Sequence, residues 1–201
     1  MAPQSRKIKT RNKILLHAYK VFVQYGYERA TLAEISKEAD VHLQTLERHF
    51  PTKAEIMAAI HTVTADNLER YFLAQDGTAF ERWREWIRIC SENSPEIFVF
   101  PNDSYRFPVI TPQGQDAIHR IKELLADGIA EDMGVNRSLD IRPTLISCML
   151  NAGNAQIAQS WAGRRFKRAE FIESLLEVVD VAEEMLKEQL KPAQKIRKKA
   201  S

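Results

Sequence analysis

Apolar residues recur along this chain in steps of one, three and four, and no every-other-residue alternation persists anywhere. That periodicity predicts helices throughout. Over about residues 6–25, Ile14, Leu15, Ala18, Val21, Phe22 and Tyr25 form one stripe, and Gly26 supplies a left-handed stop. Thr31-Leu-Ala-Glu34 reads as a capping box, in which the hydroxyl accepts from the third amide and the carboxylate reaches back. It opens a short helix ending near Ala39. Residues 40–42 make a turn, and a third helix covers about 42–49, with Pro51 as its stop. Thr52-Lys-Ala-Glu55 is a second box, opening a long helix to about Gln75.

Thr78-Ala-Phe-Glu81 is a third box, followed by Phe80, Trp83, Trp86, Ile87 and Cys90 on one broad face. Ser94-Pro95-Glu96 looks like an N-cap with proline at the first helical position. Residues 94–115 are otherwise irregular and hold four of the eight prolines, with Phe98, Phe100, Tyr105 and Phe107. Helices over about 112–133, 140–162 and 168–190 complete a set of about nine. The tail KPAQKIRKKAS has no apolar period and is expected to be disordered.

The second and third helices, joined by a three- to four-residue turn, have the spacing of a helix-turn-helix. The expected architecture is all-α. A three-helix DNA-binding head occupies residues 1–53, a larger helical ligand-binding and dimerisation body residues 54–190, and a basic tail residues 191–201.

Charge sharpens this division. The head holds ten Lys/Arg against five Asp/Glu, the body fourteen against twenty-two, and the tail five against none. A basic head on an acidic body points to a polyanion as the head's partner. The polar, basic N-terminus is not a secretory signal, and no apolar run reaches the roughly 18 residues of a membrane span, so a cytoplasmic, nucleoid-associated protein is expected. Cys90 and Cys148 sit in apolar helical patterns and read as a reduced, buried pair. The five histidines lack metal-ligand spacing, and no nucleophile elbow, P-loop or dinucleotide fingerprint occurs. An enzyme, a metal and a cofactor are therefore not expected.

On a wheel of ~100° per residue with Leu43 at the origin, Leu46 and Phe50 fall near it and are expected to face the core with it. Gln44, Thr45 and Arg48 fall opposite. Gln pairs with adenine, Arg with guanine, and Thr touches a thymine methyl or a phosphate. His49 and Lys53 suit phosphate, as do Thr31 and Thr52 at helix starts. Lys7, Lys9 and Arg11 are further candidates for backbone or minor-groove contact.

Phe22, Gly26, Tyr27, Thr31, Ile35, Ala39, Val41, Thr45, Leu46, His49, Phe50 and Lys53 follow one another in an order that resembles the N-terminal domain of the TetR family of transcriptional regulators. The resemblance covers about the first quarter of the chain. It implies a helical homodimer with two DNA-binding heads and a C-terminal part that pairs with its twin and often binds a small molecule. It also implies repression relieved by that effector. Three positions depart from the family pattern. Asp40 stands for the turn glycine and is expected to tolerate left-handed angles and to cap the third helix. Gln44 replaces a glycine. Glu47 replaces a tyrosine that bonds a DNA phosphate in the family. On the wheel Glu47 lies at the edge of the buried side. It is open to four readings: repelling phosphate, pairing with a basic N-terminal side chain, accepting from cytosine N4, or standing solvated.

In the body, Trp83, Trp86, Phe98, Phe100, Tyr105 and Asn151 are the candidate walls of an apolar or aromatic effector pocket. Ala152, Ala155, Leu175, Val179, Ala182 and Leu186, on the last two helices, are the candidate dimer interface. The expected function is that of a dimeric repressor on a palindromic operator in double-stranded DNA. The alternative is a helical protein-interaction module that has lost sequence-specific DNA binding, motivated by Glu47 and the missing glycines.

Overall fold

The computed structural model describes residues 3–93, 111–161 and 168–190. These form eight helices and no strand: α1 (Pro3–Tyr25), α2 (Leu32–Glu38), α3 (Leu43–His49), α4 (Lys53–Ala74), α5 (Ala79–Asn93), α6 (Pro112–Met133), α7 (Arg142–Trp161) and α8 (Arg168–Leu190). The all-α expectation holds. The helix read from Ser94, the irregular segment that follows it and the basic tail lie outside the described residues.

Local chemistry sets the helix ends. Thr31 caps α2 with both halves of the box, and Thr52 caps α4 through the Glu55 amide. Thr78 and Glu81 exchange the same two bonds ahead of α5. Thr111 caps α6 with Pro112 just behind it, a signal the sequence reading passed over. Gly26 ends α1 at φ +82°, and Gly134 ends α6 at φ +63°, in the left-handed region where a Cβ is costly.

Two hydrophobic cores result. The first joins Ile14, Ala18, Phe22, Ile35, Leu46 and Phe50 to Ile56 and Ile60 of α4. The second joins Leu68 and Phe72 of α4 to Trp83, Ile121, Leu125, Leu150, Leu175 and Val179. The change of core thus falls inside α4, between Ile60 and Ala65, several residues past the boundary expected at Lys53. One continuous helix belongs to both cores. Arg120 ties α6 to α4 through Asp66 (2.9 Å) and Glu69, and Arg84 ties α5 to α8 through Asp180 (2.7 Å) and Glu183.

Candidate nucleic-acid interface

The turn between α2 and α3 is built by backbone bonds. Val41 N–H donates to Ser36 O and Asp40 N–H to Lys37 O, at 3.0 and 3.1 Å. This is the paired pattern that closes a helix with a left-handed residue. Asp40 takes that position at φ +46°, the one non-glycine residue with positive φ among the described residues. Its side chain does not cap α3: His42 is the N-cap and makes no side-chain capping bond. Lys13 on α1 instead reaches Asp40, 3.3 Å from its carbonyl oxygen and 3.5 Å from its carboxylate. His17 Nδ1 lies 3.6 Å from Glu38 Oε1. Both contacts hold α1 against the end of α2.

Helix α3 buries less of itself than its wheel implied. Leu46 is fully buried, and Phe50, just past the helix on extended backbone, fills the same core. Leu43, expected inside, is 39% exposed. A seven-residue helix packed over α1, α2 and α4 needs few inward positions, and Leu46 with Phe50 fills them. The exposed positions are Leu43, Gln44, Glu47 and Arg48, flanked by half-buried Thr45 and His49. From Leu43 they lie at ~0°, ~100°, ~40° and ~140°, so the outward face centres near ~70°, between Glu47 and Gln44. Glu47 therefore belongs to the middle of this face, and its expected place at the buried edge is corrected.

Cations gather along one flank of the face. The Arg11 guanidinium lies 4.3 Å from the centre of the Phe50 ring. Partial burial, then the charges of Lys7, Arg48 and Arg11, hold His49 below the ordinary histidine pKa. The head of α1 and the end of α3 thus make one basic cluster. Lys7, Lys9 and Arg11 are part of helix α1, which starts earlier than expected.

Two of the expected contacts have work inside the fold. Lys53 Nζ donates to the carbonyl oxygens of Tyr27 (2.8 Å) and Glu28 (3.2 Å) and sits 4.8 Å from the centre of the Tyr27 ring. The Thr31 hydroxyl donates to Glu34 Oε2 at 2.8 Å and accepts from the Glu34 amide at 3.1 Å. Both residues position the loop before α2 and the start of α4.

In the body, several expectations change. Trp83 is fully buried, packed edge-on to Phe72 with ring centres 6.3 Å apart, as part of the second core. Trp86 is partly buried against Tyr71, ring centres 5.5 Å apart. Phe98, Phe100 and Tyr105 lie outside the described residues. Asn151 is buried and donates to Ser147 O of its own helix at 2.8 Å. Leu175, Val179, Ala182 and Leu186 are buried in the chain's own core, and Ala182 and Leu186 also line surface depressions beside Met149 and Met185. Helix α8 packs these residues between α5 and α7, while Val181 and Met185 on the same helix stay exposed. Ala152 is exposed, and nothing is described of the Ala155 side chain.

Helix α7 mixes polar with apolar residues on its inward side, where Ser147, Asn151 and Asn154 are buried beside Ile146 and Leu150. Ser147 Oγ donates to Lys122 O of α6 at 2.7 Å, whereas both amide atoms of fully buried Asn154 lack a partner among the described residues. Its outward side carries Leu145, Cys148, Met149, Ala152 and Gln156, and from Pro143 to Trp161 there is no charged residue. Cys148 is thus exposed, against the expectation of a buried pair. Burial pushes the Cys90 thiol up to about 12. His61 of α4 also escaped the sequence reading: it is buried, neither ring nitrogen has a partner among the described residues, and burial lowers its pKa to about 4.

Residues 14–60 match the family described as bacterial regulatory proteins, tetR family. Both ends of that match, Ile14 and Ile60, belong to the first core. The chain is 27% identical over 159 residues to the HTH-type transcriptional activator FasR of Mycolicibacterium smegmatis, spanning 75% of this chain and 71% of that protein. A tetR-family transcriptional regulator from Streptomyces coelicolor shares the fold with a TM-score of 0.63 at 17% identity, over 92% of this chain and 83% of that one. AibR, solved in complex with isovaleryl coenzyme A and operator DNA, shares it with a TM-score of 0.56 at 16% identity, over 83% of this chain and 96% of that one. FasR and the Streptomyces coelicolor protein are named as transcription regulators, and the ordered head motif, the helix-turn-helix geometry and the helical body of this chain agree with them. Residues 14–60 thus carry the N-terminal domain of the TetR family of transcriptional regulators, and the chain as a whole shares the fold of solved members of that family.

Proposed function

We propose that this regulator works as a cytoplasmic, nucleoid-associated homodimer that binds a palindromic operator in double-stranded DNA and represses transcription. A small, mainly apolar or aromatic effector releases it. Gln44, Thr45 and Arg48 meet base edges and His49 meets phosphate, backed by Lys7 and Arg11. Thr31 and the remaining donor of Lys53 supply backbone contact at the periphery. The observation that carries the reading is the outward face of α3 with the basic cluster of Lys7, Arg11, Arg48 and His49 along its flank. A polar reading face beside a cationic rim is what major-groove docking requires.

Helix α7 supports the other two parts. An uncharged, exposed face of Leu145, Cys148, Met149 and Ala152, continued on α8 by Val181 and Met185, suits a second copy across a two-fold axis. The buried, unpartnered amide of Asn154 suits a polar group on an otherwise apolar effector. AibR binds an acyl coenzyme A and operator DNA, which is consistent with a body that senses and a head that reads.

Selection of bound duplexes from a random pool near physiological salt tests the reading. An enriched palindrome, with affinity falling steeply as salt rises, is the expected result. No enrichment by folded, dimeric protein would sink it. A promoter reporter carrying the selected site gives the sign of regulation, and repression relieved by effector is expected. Alkylation of Cys148 checks the interface: it is slow in the dimer and fast once Met149→Asp separates the copies.

A further inference from the structure

We infer that Glu47 is a base-reading residue that selects cytosine within the operator. The inference rests on the operator-reading function proposed above. Four observations point to it. Glu47 is exposed near the centre of the outward face of α3, between Leu43 and Gln44 in angular order. Among the described residues its carboxylate makes no hydrogen bond and no ion pair. Its helical neighbours three and four positions away are Leu43, Gln44, Phe50 and Pro51, so no cation stands where a surface ion pair would form. It also sits in the last turn of α3, where the carbonyl end of the helix disfavours an acidic group. Glu47 therefore lacks a local partner and opposes the helix dipole.

A docked helix turns the centre of its outward face to the groove floor and its flanks to the phosphate rims. The basic cluster of Lys7, Arg11, Arg48 and His49 lies on one flank. Glu47 lies ~160° round the helix from His49 and ~100° from Arg48, off that flank. A carboxylate at the floor avoids most phosphate repulsion and needs a donor. It is an acceptor only. Cytosine presents the N4 amine with no acceptor on its own major-groove edge, whereas adenine sets N7 beside N6 and guanine presents N7 and O6. Cytosine is the base whose edge suits the group. Leu43, one turn earlier on the same row and exposed, presents apolar surface to an adjacent thymine methyl.

Wild-type, Glu47→Ala and Glu47→Gln proteins, each checked for helical content and dimer state, are carried through one selection from a random duplex pool at fixed salt. The wild type is expected to enrich a palindrome with a cytosine in each half-site, whose replacement lowers affinity about fivefold or more. Glu47→Ala loses that preference and keeps the rest of the motif. Glu47→Gln moves it towards adenine. The same motif from all three proteins overturns the inference alone, including the case in which both variants bind every duplex more tightly because a mere repulsion has gone. A wild type that enriches nothing overturns the operator-reading function and this inference together.

Discussion

Lys13 of α1 holds Asp40 by two atoms, the carbonyl oxygen at 3.3 Å and the carboxylate at 3.5 Å. The turn of the helix-turn-helix is therefore tied to the helix that crosses behind it. Asp40 carries the left-handed φ of +46° that the turn demands. Asp accepts that region better than most residues, whereas a β-branched side chain does not. Asp40→Val should destabilise the protein by about 1–2 kcal/mol, and Asp40→Gly should leave the fold intact. Urea unfolding monitored by circular dichroism distinguishes them, and equal midpoints for the two variants would contradict the strain argument.

Position 153 sets the spacing of α7 and α8. A Cβ built on Gly153 would lie 2.6 Å from Val178 Cγ1, too close for the two helices to keep their packing. In an open helix Gly→Ala gains about 1 kcal/mol from propensity. Here Gly153→Ala should instead lower stability, by about 1–2 kcal/mol net, because the close approach is lost. Thermal unfolding together with sedimentation would test this, since α7 also carries the proposed dimer face. A raised Tm would show that Val178 moves aside freely.

His49 gives the head a pH dependence. In the free protein, partial burial and then the charges of Lys7, Arg48 and Arg11 keep its pKa low. A DNA phosphate against the ring raises it, so binding takes up a proton. The added affinity is full below the free-state value and is lost as pH rises through the bound-state value. Operator affinity should therefore increase as pH falls through the histidine range, by about tenfold for each unit that binding raises the pKa. His49→Gln should flatten the curve. Fluorescence anisotropy with the selected operator measures both.

His61 does the same for stability with the opposite consequence. Burial lowers its folded-state pKa from 6.5 to about 4. The unfolded chain binds the proton first, so stability is undiminished above pH 6.5 and falls between that value and about 4. The loss over this window is on the order of 3 kcal/mol. His61→Leu should remove most of that acid slope while leaving stability near neutral pH similar. Urea midpoints across the window report it, and an unchanged slope would mean that His61 is solvated or paired on protonation.

Much of this fold is legible from local patterns. Three Thr-x-x-Glu boxes, Gly26, Pro51 and helical apolar spacing place most helix ends, because capping bonds and glycine angles are made by residues a few positions apart. The head was legible for the same reason: its turn, its short helices and its basic charge are local. Sequence by itself thus determined an all-helical chain with a helix-turn-helix at its start and the residue types that reading DNA requires.

Which side of each helix is buried was decided by tertiary structure. A wheel shows that α8 has a broad apolar stripe but not what covers it, and α5 with α7 claims Leu175, Val179, Ala182 and Leu186 for the chain's own core. On α3 the wheel assigned Leu43 inward, yet Leu46 and Phe50 suffice, and the face turns until Glu47 stands near its centre. Position at a helix start makes Lys53 and Thr31 candidate DNA contacts, and tertiary structure adds backbone carbonyls of the preceding loop within reach of Lys53. Periodicity records how apolar a side is. Burial depends on which neighbours arrive there, and those neighbours come from distant parts of the chain.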